Sequence, residues 1–260
     1  MAETEYDAFC DIYEAWTDSQ PLCELNAPFY AELYLETEGP VVELGVGNGR
    51  IAVEAARRGR SLIGVDSSAA MLEQCRRRAR EAGVAERLTL LKADMRAFEL
   101  ESPAALIAIP FHSIGHLLTP EDKLDGLRRA HAQLVPGGRL VFDHFVFDPE
   151  LAARFQHSIQ LRAEDENPAT GRERMIWTTT QLDLDRQRMR IIVWTDELDD
   201  AGVVVERRYR RLSFSWIRPE EARELLGRAG FEVEAVHGGF AGEPFGPESR
   251  EQVWFARRPS

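Results

Sequence analysis

The chain has 260 residues, 44% of them hydrophobic and 29% charged, an ordinary globular composition. No apolar run approaches the roughly 20 residues that cross a bilayer, and the opening Met1-Ala2-Glu3-Thr4-Glu5 is acidic and lacks the apolar core of an export signal, so no membrane partner is expected. A net charge of −12, from 32 Lys+Arg against 44 Asp+Glu, repels phosphate backbones; nucleic acid is not expected as a partner, and Arg76-Arg77-Arg78 and Arg207-Arg208 with Arg210-Arg211 read as solvated surface.

Residues 5–18 read as one amphipathic helix, with Phe9, Ile12, Tyr13 and Trp16 at i, i+3, i+4, i+7. A second helix is expected over 25–36. Gly39-Pro40 then introduces a short apolar strand, Val41-Val42, followed by Glu43-Leu44-Gly45-Val46-Gly47-Asn48-Gly49 and a helical pattern from Arg50 to Arg58. The context is strand, glycine turn, helix. Glycine permits positive φ and leaves room for a ligand against the main chain, and the helix start offers free N–H groups. The spacing is G-x-G-x-G, not the G-x-G-x-x-G of a dinucleotide site. Glu43, two residues before the first glycine, suits a cationic ligand better than a pyrophosphate.

Ser61–Asp66 is the second strand, and Ser67 or Ser68 caps a helix running to about Ala82. Asp66 lies 21 positions after Gly45, where an acid at a strand's carboxyl end can accept both ribose hydroxyls; the plainer alternative is a helix-capping acid. Met71, one turn into that helix, lines an adenine pocket or belongs to the core. The third strand begins at Arg87 and exits through Asp94-Met95. Ala104–Ile109 is almost wholly apolar, as befits a central parallel strand, and leads into Pro110-Phe111-His112-Ser113-Ile114-Gly115-His116-Leu117-Leu118. Open α/β sheets bind ligands beyond the carboxyl ends of their strands, which makes His112 and His116 the best general-base candidates.

Thr119 caps the next helix, with Pro120 at its first position. Leu134-Val135-Pro136-Gly137-Gly138-Arg139 is expected to turn sharply into a fifth strand, Leu140–Asp143. Residues 157–216 break the rhythm. Segments 173–180, 187–197 and 203–216 are β-rich with partial alternation, and Asp199-Asp200-Ala201-Gly202 reads as a hairpin turn. Trp177, Trp194, Tyr209, Phe214 and Trp216 give this insertion aromatic surface. It is expected to cover a substrate, with Trp177 and Trp194 as contacts, or to pack on the domain or form a dimer contact. A helix from Pro219 and strands over 231–236 and 252–256 complete the chain. Cys10, Cys23 and Cys75 show neither zinc spacing nor a disulfide framework, which points to a reducing, cytoplasmic setting. No linear His/Asp pattern has ligand spacing, so no metal is expected.

The glycine run resembles motif I of the class I S-adenosylmethionine (SAM) methyltransferases, [D/E]-x-G-x-G-x-G. SAM carries an ammonium, a sulfonium and a carboxylate but no phosphate, in keeping with Glu43. The resemblance is strong over residues 39–145 and looser elsewhere. It implies a SAM site built from Glu43, Gly45, Gly47, Gly49, Asp66 with Ser67, Met71, Asp94 and Met95 at the adenine, and Ile109 and Phe111 flanking the donor. The segment after the fourth strand resembles that of bacterial small-molecule methyltransferases, including those acting on amino sugars. Many of these place an N-terminal helix over the pocket with a Tyr facing sulfonium or substrate, which makes Tyr13 a catalytic and Tyr6 a substrate-binding candidate. The expected fold is α/β: a Rossmann-like, seven-stranded, mostly parallel sheet with an N-terminal helical cover and an antiparallel β insertion. The expected layout is a cover over 1–38, a SAM-binding core over 39–156, the insertion over 157–216 and the end of the core sheet over 217–260. The expected activity is methyl transfer from SAM to a small-molecule acceptor, with an amine nitrogen leading. O-methylation of a hydroxyl or phenol with a His base is the alternative, and a non-catalytic SAM-binding protein or an NAD-linked oxidoreductase stands behind both. The only partner expected beyond the acceptor is a second copy of the chain.

Overall fold

The computed structural model describes residues 4–18 and 20–260. In chain order the helices and strands are α1 (Tyr13–Asp18), α2 (Leu22–Glu36), β1 (Val41–Leu44), α3 (Arg50–Arg57), β2 (Leu62–Asp66), α4 (Ala69–Glu81), β3 (Leu88–Lys92), β4 (Ala104–Ile109), α5 (Pro120–Gln133) and β5 (Leu134–Phe145). There follow α6 (Pro149–Phe155), β6 (Gln160–Glu166), β7 (Glu173–Asp183), β8 (Arg188–Leu198), β9 (Val204–Ser215), α7 (Pro219–Arg228), β10 (Glu232–His237) and β11 (Glu251–Arg257). Two compact units result, one from residues 24–147 and 216–260, the other from residues 1–23 and 148–215.

The larger unit holds a seven-stranded sheet ordered β10-β11-β5-β4-β1-β2-β3, parallel except for β11, which runs antiparallel to both β5 and β10. The expected Rossmann-like sheet is therefore present. Its strands are apolar because both faces are covered. On one face Val42, Leu44, Ile107 and Ile109 pack against Leu124 and Leu127 of α5 and Leu225 and Leu226 of α7. On the other, Val41, Leu106 and Ala108 meet Tyr30 and Tyr34 of α2, Ile51 and Ala55 of α3, and Leu72 and Cys75 of α4. β1 pairs with β2 on one side and β4 on the other, so the strand order reverses at β1/β4. That reversal opens a crevice at the carboxyl ends of the strands.

The turn expected at Pro136-Gly137-Gly138 is instead a bulge inside β5. Ala104 pairs with Leu134 and Leu106 with Arg139, so the intervening residues of β5 loop out while pairing continues on both sides. Gly137 takes φ +79°, and a Cβ on Gly138 would come within 2.9 Å of the Val135 carbonyl oxygen. Pairing before and after the glycines makes one long strand of what reads in sequence as a turn and a short one.

The smaller unit is a four-stranded antiparallel sheet ordered β6-β7-β8-β9. Ile176, Val193 and Leu212 on one face of it pack against Phe9 and Ile12. Arg210, buried on that face, binds the Asp11 carboxylate and donates to the Ala8 carbonyl at 2.9 Å. The single helix expected over 5–18 is broken: residues 5–9 form turns, Cys10–Ile12 a 3₁₀ turn, and only Tyr13–Asp18 is α-helical. Asp7 draws the Thr4 N–H (2.7 Å) and hydroxyl (3.0 Å) to its carboxylate, a local bond that competes with helix extension. α6 and β6 were not expected from periodicity.

Candidate functional site

The β1–α3 loop is shaped by its three glycines, at φ +73° (Gly45), +54° (Gly47) and +79° (Gly49). Each lies in the left-handed region that costs an L-residue roughly 1–2 kcal/mol. Close approaches add to the demand. A Cβ on Gly45 would fall 2.8 Å from Ser113 Oγ, and one on Gly49 would run into Cys75 Sγ. Gly45 and Val46 donate to the Val65 carbonyl at 2.8 and 3.1 Å, tying the loop to the end of β2.

Asp66 closes β2 beside this loop. Its Oδ2 accepts from the Gly47 N–H at 2.8 Å and its Oδ1 from the Ser68 N–H at 2.8 Å. The helix cap is Ser68, whose hydroxyl accepts from the Met71 N–H at 3.1 Å. Ser67 is left on the wall of a cleft of about 260 Å³, lined by Gly45, Asp66, Ser67, Asp94, Met95 and His116 among others. Six residues named from the sequence thus share one cavity. Ile109 and Met71 are buried and are not part of the cleft lining.

Two polar residues of the cleft wall are not expected there from the sequence: Arg96, and Asp122, which reads only as the capping-box acid after Thr119. Arg96 bridges the ends of β3 and α5. It donates from Nη2 to Asp94 Oδ2 at 2.6 Å, from Nε to Asp94 Oδ1 at 3.0 Å, and from Nη1 to Asp122. The guanidinium holds the Asp94 carboxyl below its usual range. Asp122 is lowered first by the Thr119 hydroxyl, which donates at 2.8 Å, and then by Arg96. Asp94 is thus fixed in place as an anion. Only the side-chain reach of Arg96 links these distant residues, so no sequence spacing reveals them.

Beneath the glycine loop is a buried polar cluster. Glu43 is 2% exposed, and its Oε2 has no hydrogen-bond partner. The Asn48 and Asn26 side-chain nitrogens are likewise buried without one, and the buried Tyr34 hydroxyl lies next to the Glu43 carboxyl. Arg50 donates to Asn26 Oδ1 at 2.9 Å and stands 5.3 Å from the Phe111 ring centroid. Burial, above all, pushes the Glu43 carboxyl up to about 8, against weaker lowering by Tyr34 and Arg50. Several orphaned buried polar atoms around one acid are uncommon in a finished core and fit a polar guest.

The loop after β4 is strained. Phe111 and His112 both take left-handed backbone, at φ +55° and +59°, a conformation that costs about 1–3 kcal/mol per residue and persists only where surroundings enforce it. Asp143, fully buried on β5, does the enforcing. It accepts from the Phe111 N–H at 2.9 Å, the His112 N–H at 3.0 Å and the Tyr30 hydroxyl at 2.6 Å. Asp143→Ala leaves three donors without an acceptor and releases the strained turn. An expected loss of about 3–5 kcal/mol is read from the urea midpoint; a midpoint unchanged from wild type would contradict this role. His112 Nε2 in turn is 2.8 Å from Glu251 Oε2 and 3.5 Å from Asp143 Oδ2.

The remaining named residues lie in the smaller unit. Tyr6 and Tyr13 meet edge-on at 6.0 Å and pack on the cluster around Phe9 and Ile12. Trp177 and Trp194 are cross-strand partners stacked at 6.4 Å, with Tyr209 a further 6.0 Å along the same row.

Residues 41–138 match the family model described as a methyltransferase domain. Over those residues the chain carries a methyltransferase domain, and it is similar there to the SAM-dependent methyltransferases. The matched span runs from β1 through α5 into the bulge of β5, and so carries the glycine loop, Asp66, Asp94, Arg96 and the strained turn. The glycine cradle and the buried polar atoms without partners are a suitable receptacle for SAM, the cofactor that this similarity implies. The chain is 26% identical over 216 residues to the cypemycin N-terminal methyltransferase of a Streptomyces species, covering 82% of this chain and 80% of that one. It is 30% identical over 127 residues to the carboxy-S-adenosyl-L-methionine synthase of Vibrio parahaemolyticus, covering 47% of this chain; the match spans about half of that relative, 51%. The CcbJ methyltransferase from Streptomyces caelestis has the same fold, with a TM-score of 0.81 at 23% identity over 99% of both chains. Among the described residues no helix is long and apolar enough to cross a membrane.

Proposed function

We propose that the protein transfers the methyl group of SAM to a small-molecule amine. The observation that carries this is the pairing of two acids about one glycine loop. Asp66 lines the cleft, where it can accept from a ribose diol, and Glu43, on the strand that leads into the loop, is buried with one oxygen that lacks a hydrogen-bond partner. When bound, SAM supplies an electrophilic methyl on a sulfonium. The chain's own contribution is to fix donor and acceptor in line and to keep the site dry enough that charge dispersal is favoured. Asp94, locked by Arg96, retains a lone pair for an adenine amino group, with the Met95 main chain beside it. Gly45, Gly47 and Gly49 allow close approach of the methionine portion.

An amine needs only its lone pair, and the cypemycin relative is named for methylation at an N-terminus, where a free amine would stand. The position of His116 on the cleft wall favours a second reading, O-methylation with that residue as base. His112 is less suited to the task, since its Nε2 already faces Glu251. Calorimetry with SAM, S-adenosylhomocysteine and NAD, followed by a screen of amines and phenols for S-adenosylhomocysteine release, tests both readings. SAM binding and turnover with amines is expected. Binding of NAD but not SAM removes methyl transfer altogether, and SAM binding without any turnover leaves a non-catalytic binder. His116→Ala is expected to leave amine turnover within about threefold of wild type; a loss of 10²-fold or more, the scale of general-base catalysis, would favour the hydroxyl reading.

A further inference from the structure

Three side chains remote in sequence converge at the carboxyl edge of the large sheet: His112 after β4, Asp143 on β5, and Glu251 at the start of β11. Glu251 pairs with Phe145, the last residue of β5, which brings it to the same edge. One ligand atom from each lies within 4.8 Å of the others. We propose that His112, Asp143 and Glu251 form a binding site for one first-row divalent metal ion, of the Mn²⁺, Fe²⁺ or Zn²⁺ class.

The spacing suits chelation without backbone movement. Ligand atoms around a four-coordinate ion with bonds of about 2.1 Å stand about 3.4 Å apart, and His112 Nε2 is 2.8 Å from Glu251 Oε2 and 3.5 Å from Asp143 Oδ2. The ligands are also held from behind. Asp143 Oδ1 is fixed by the Tyr30 hydroxyl and the Phe111 N–H, leaving Oδ2 turned to the histidine. The His112 ring is packed against His144 and Phe145, both at 5.4 Å. Such outer contacts orient metal ligands and are part of a working site.

Charge points the same way. Asp143 is fully buried and the Glu251 side chain is 18% exposed. Among the described residues neither carboxylate is paired with an Arg or Lys. Two nearly buried carboxylates need a cation. An imidazolium can serve, and a dication that displaces its proton serves better. One imidazole nitrogen with two carboxylate oxygens suits Mn²⁺, Fe²⁺ or Zn²⁺, whereas Mg²⁺ and Ca²⁺ favour all-oxygen sets. The partial exposure of His112 and Glu251 leaves a coordination position for water or a ligand atom.

The test uses metal alone and no methyl donor, so it succeeds or fails independently of the methyl-transfer reading. Protein stripped with chelator is dialysed against Mn²⁺, Zn²⁺ or Mg²⁺ at about neutral pH, and bound metal is counted. One equivalent of Mn²⁺ or Zn²⁺ is expected, with Mg²⁺ bound at least tenfold more weakly. Glu251→Gln, which preserves shape, and His112→Ala are each expected to weaken binding tenfold or more, a floor set by what outer-shell changes alone do. With Co²⁺, the visible spectrum is expected to lack thiolate charge transfer, which separates this site from the cysteines. Failure to bind stoichiometric metal overturns the proposal. So does binding unchanged in folded Glu251→Gln and His112→Ala proteins.

Discussion

Asp66→Ala and Gly47→Val are each expected to reduce SAM affinity by at least 10²-fold while the protein remains folded. Asp66 sits at the centre of the recognition scheme. Its two oxygens hold the Gly47 and Ser68 N–H groups at 2.8 Å each, and the residue lines the cleft. A carboxylate that also accepts from two ribose hydroxyls contributes about 1.5–3 kcal/mol per charged hydrogen bond, and losing both costs on the order of 10²–10⁴ in affinity. Gly47→Val acts on the backbone. At φ +54° a β-branched residue is an outlier, so the loop must move and its N–H groups with it. The damage is local, because neither side chain belongs to the packed clusters on the sheet faces. Melting temperatures are expected to shift by a few degrees at most, following roughly 2–4 °C per kcal/mol for a chain of this size. Calorimetric titration beside thermal melts reads both quantities. Unchanged affinity in the two variants would refute the assignment of the pocket.

The parts of this site that were legible in the sequence are those in which backbone conformation dictates residue type. The positive φ at Gly45, Gly47 and Gly49 all but requires glycine, and the glycine run names its loop without a structure. Asp66 and Asp94 were legible because strand ends are legible: a run of apolar residues stops at an acid. The sheet followed from the same runs, since strands buried on both faces carry little polar sequence. The pairing of Arg96 with Asp122, an acid legible only as a helix cap, was not legible, because a long flexible side chain makes it across elements. The grouping of His112, Asp143 and Glu251 escaped for a related reason. A metal expectation based on linear spacing sees only ligands on one element, whereas these come from the loop after β4, from β5 and from β11, which become neighbours through sheet order. The long β5 was misread because Pro-Gly-Gly signals reversal locally, while the pairing that continues through it is set by β4 and β11.

Glu43 should make SAM binding depend on pH. Its carboxyl is raised to about 8 by burial, from 4.5 in an exposed chain. A carboxyl raised in the folded state binds a proton there that the unfolded chain has already lost. The apo protein is therefore most stable below the unfolded value and loses stability as pH rises through the window between 4.5 and about 8. At about 1.4 kcal/mol per unit the loss from this group is on the order of 5 kcal/mol across the window. A cationic guest reverses the balance. The ammonium of SAM beside Glu43 Oε2, which has no partner of its own, favours the carboxylate, so binding expels the proton. Affinity for SAM is then expected to rise with pH by up to about tenfold per unit between pH 6 and 7. Calorimetric titrations at pH 6.5 in two buffers of different ionisation heat are expected to reveal release of close to one proton. Glu43→Gln is expected to abolish that release, flatten the pH profile and raise the urea midpoint of the apo protein at pH 8, because a neutral amide replaces a charge that burial penalises. If heats of binding were identical in the two buffers for wild-type protein, the guest's cation would lie elsewhere, and the buried acid would be a structural cost of the fold with no part in recognition.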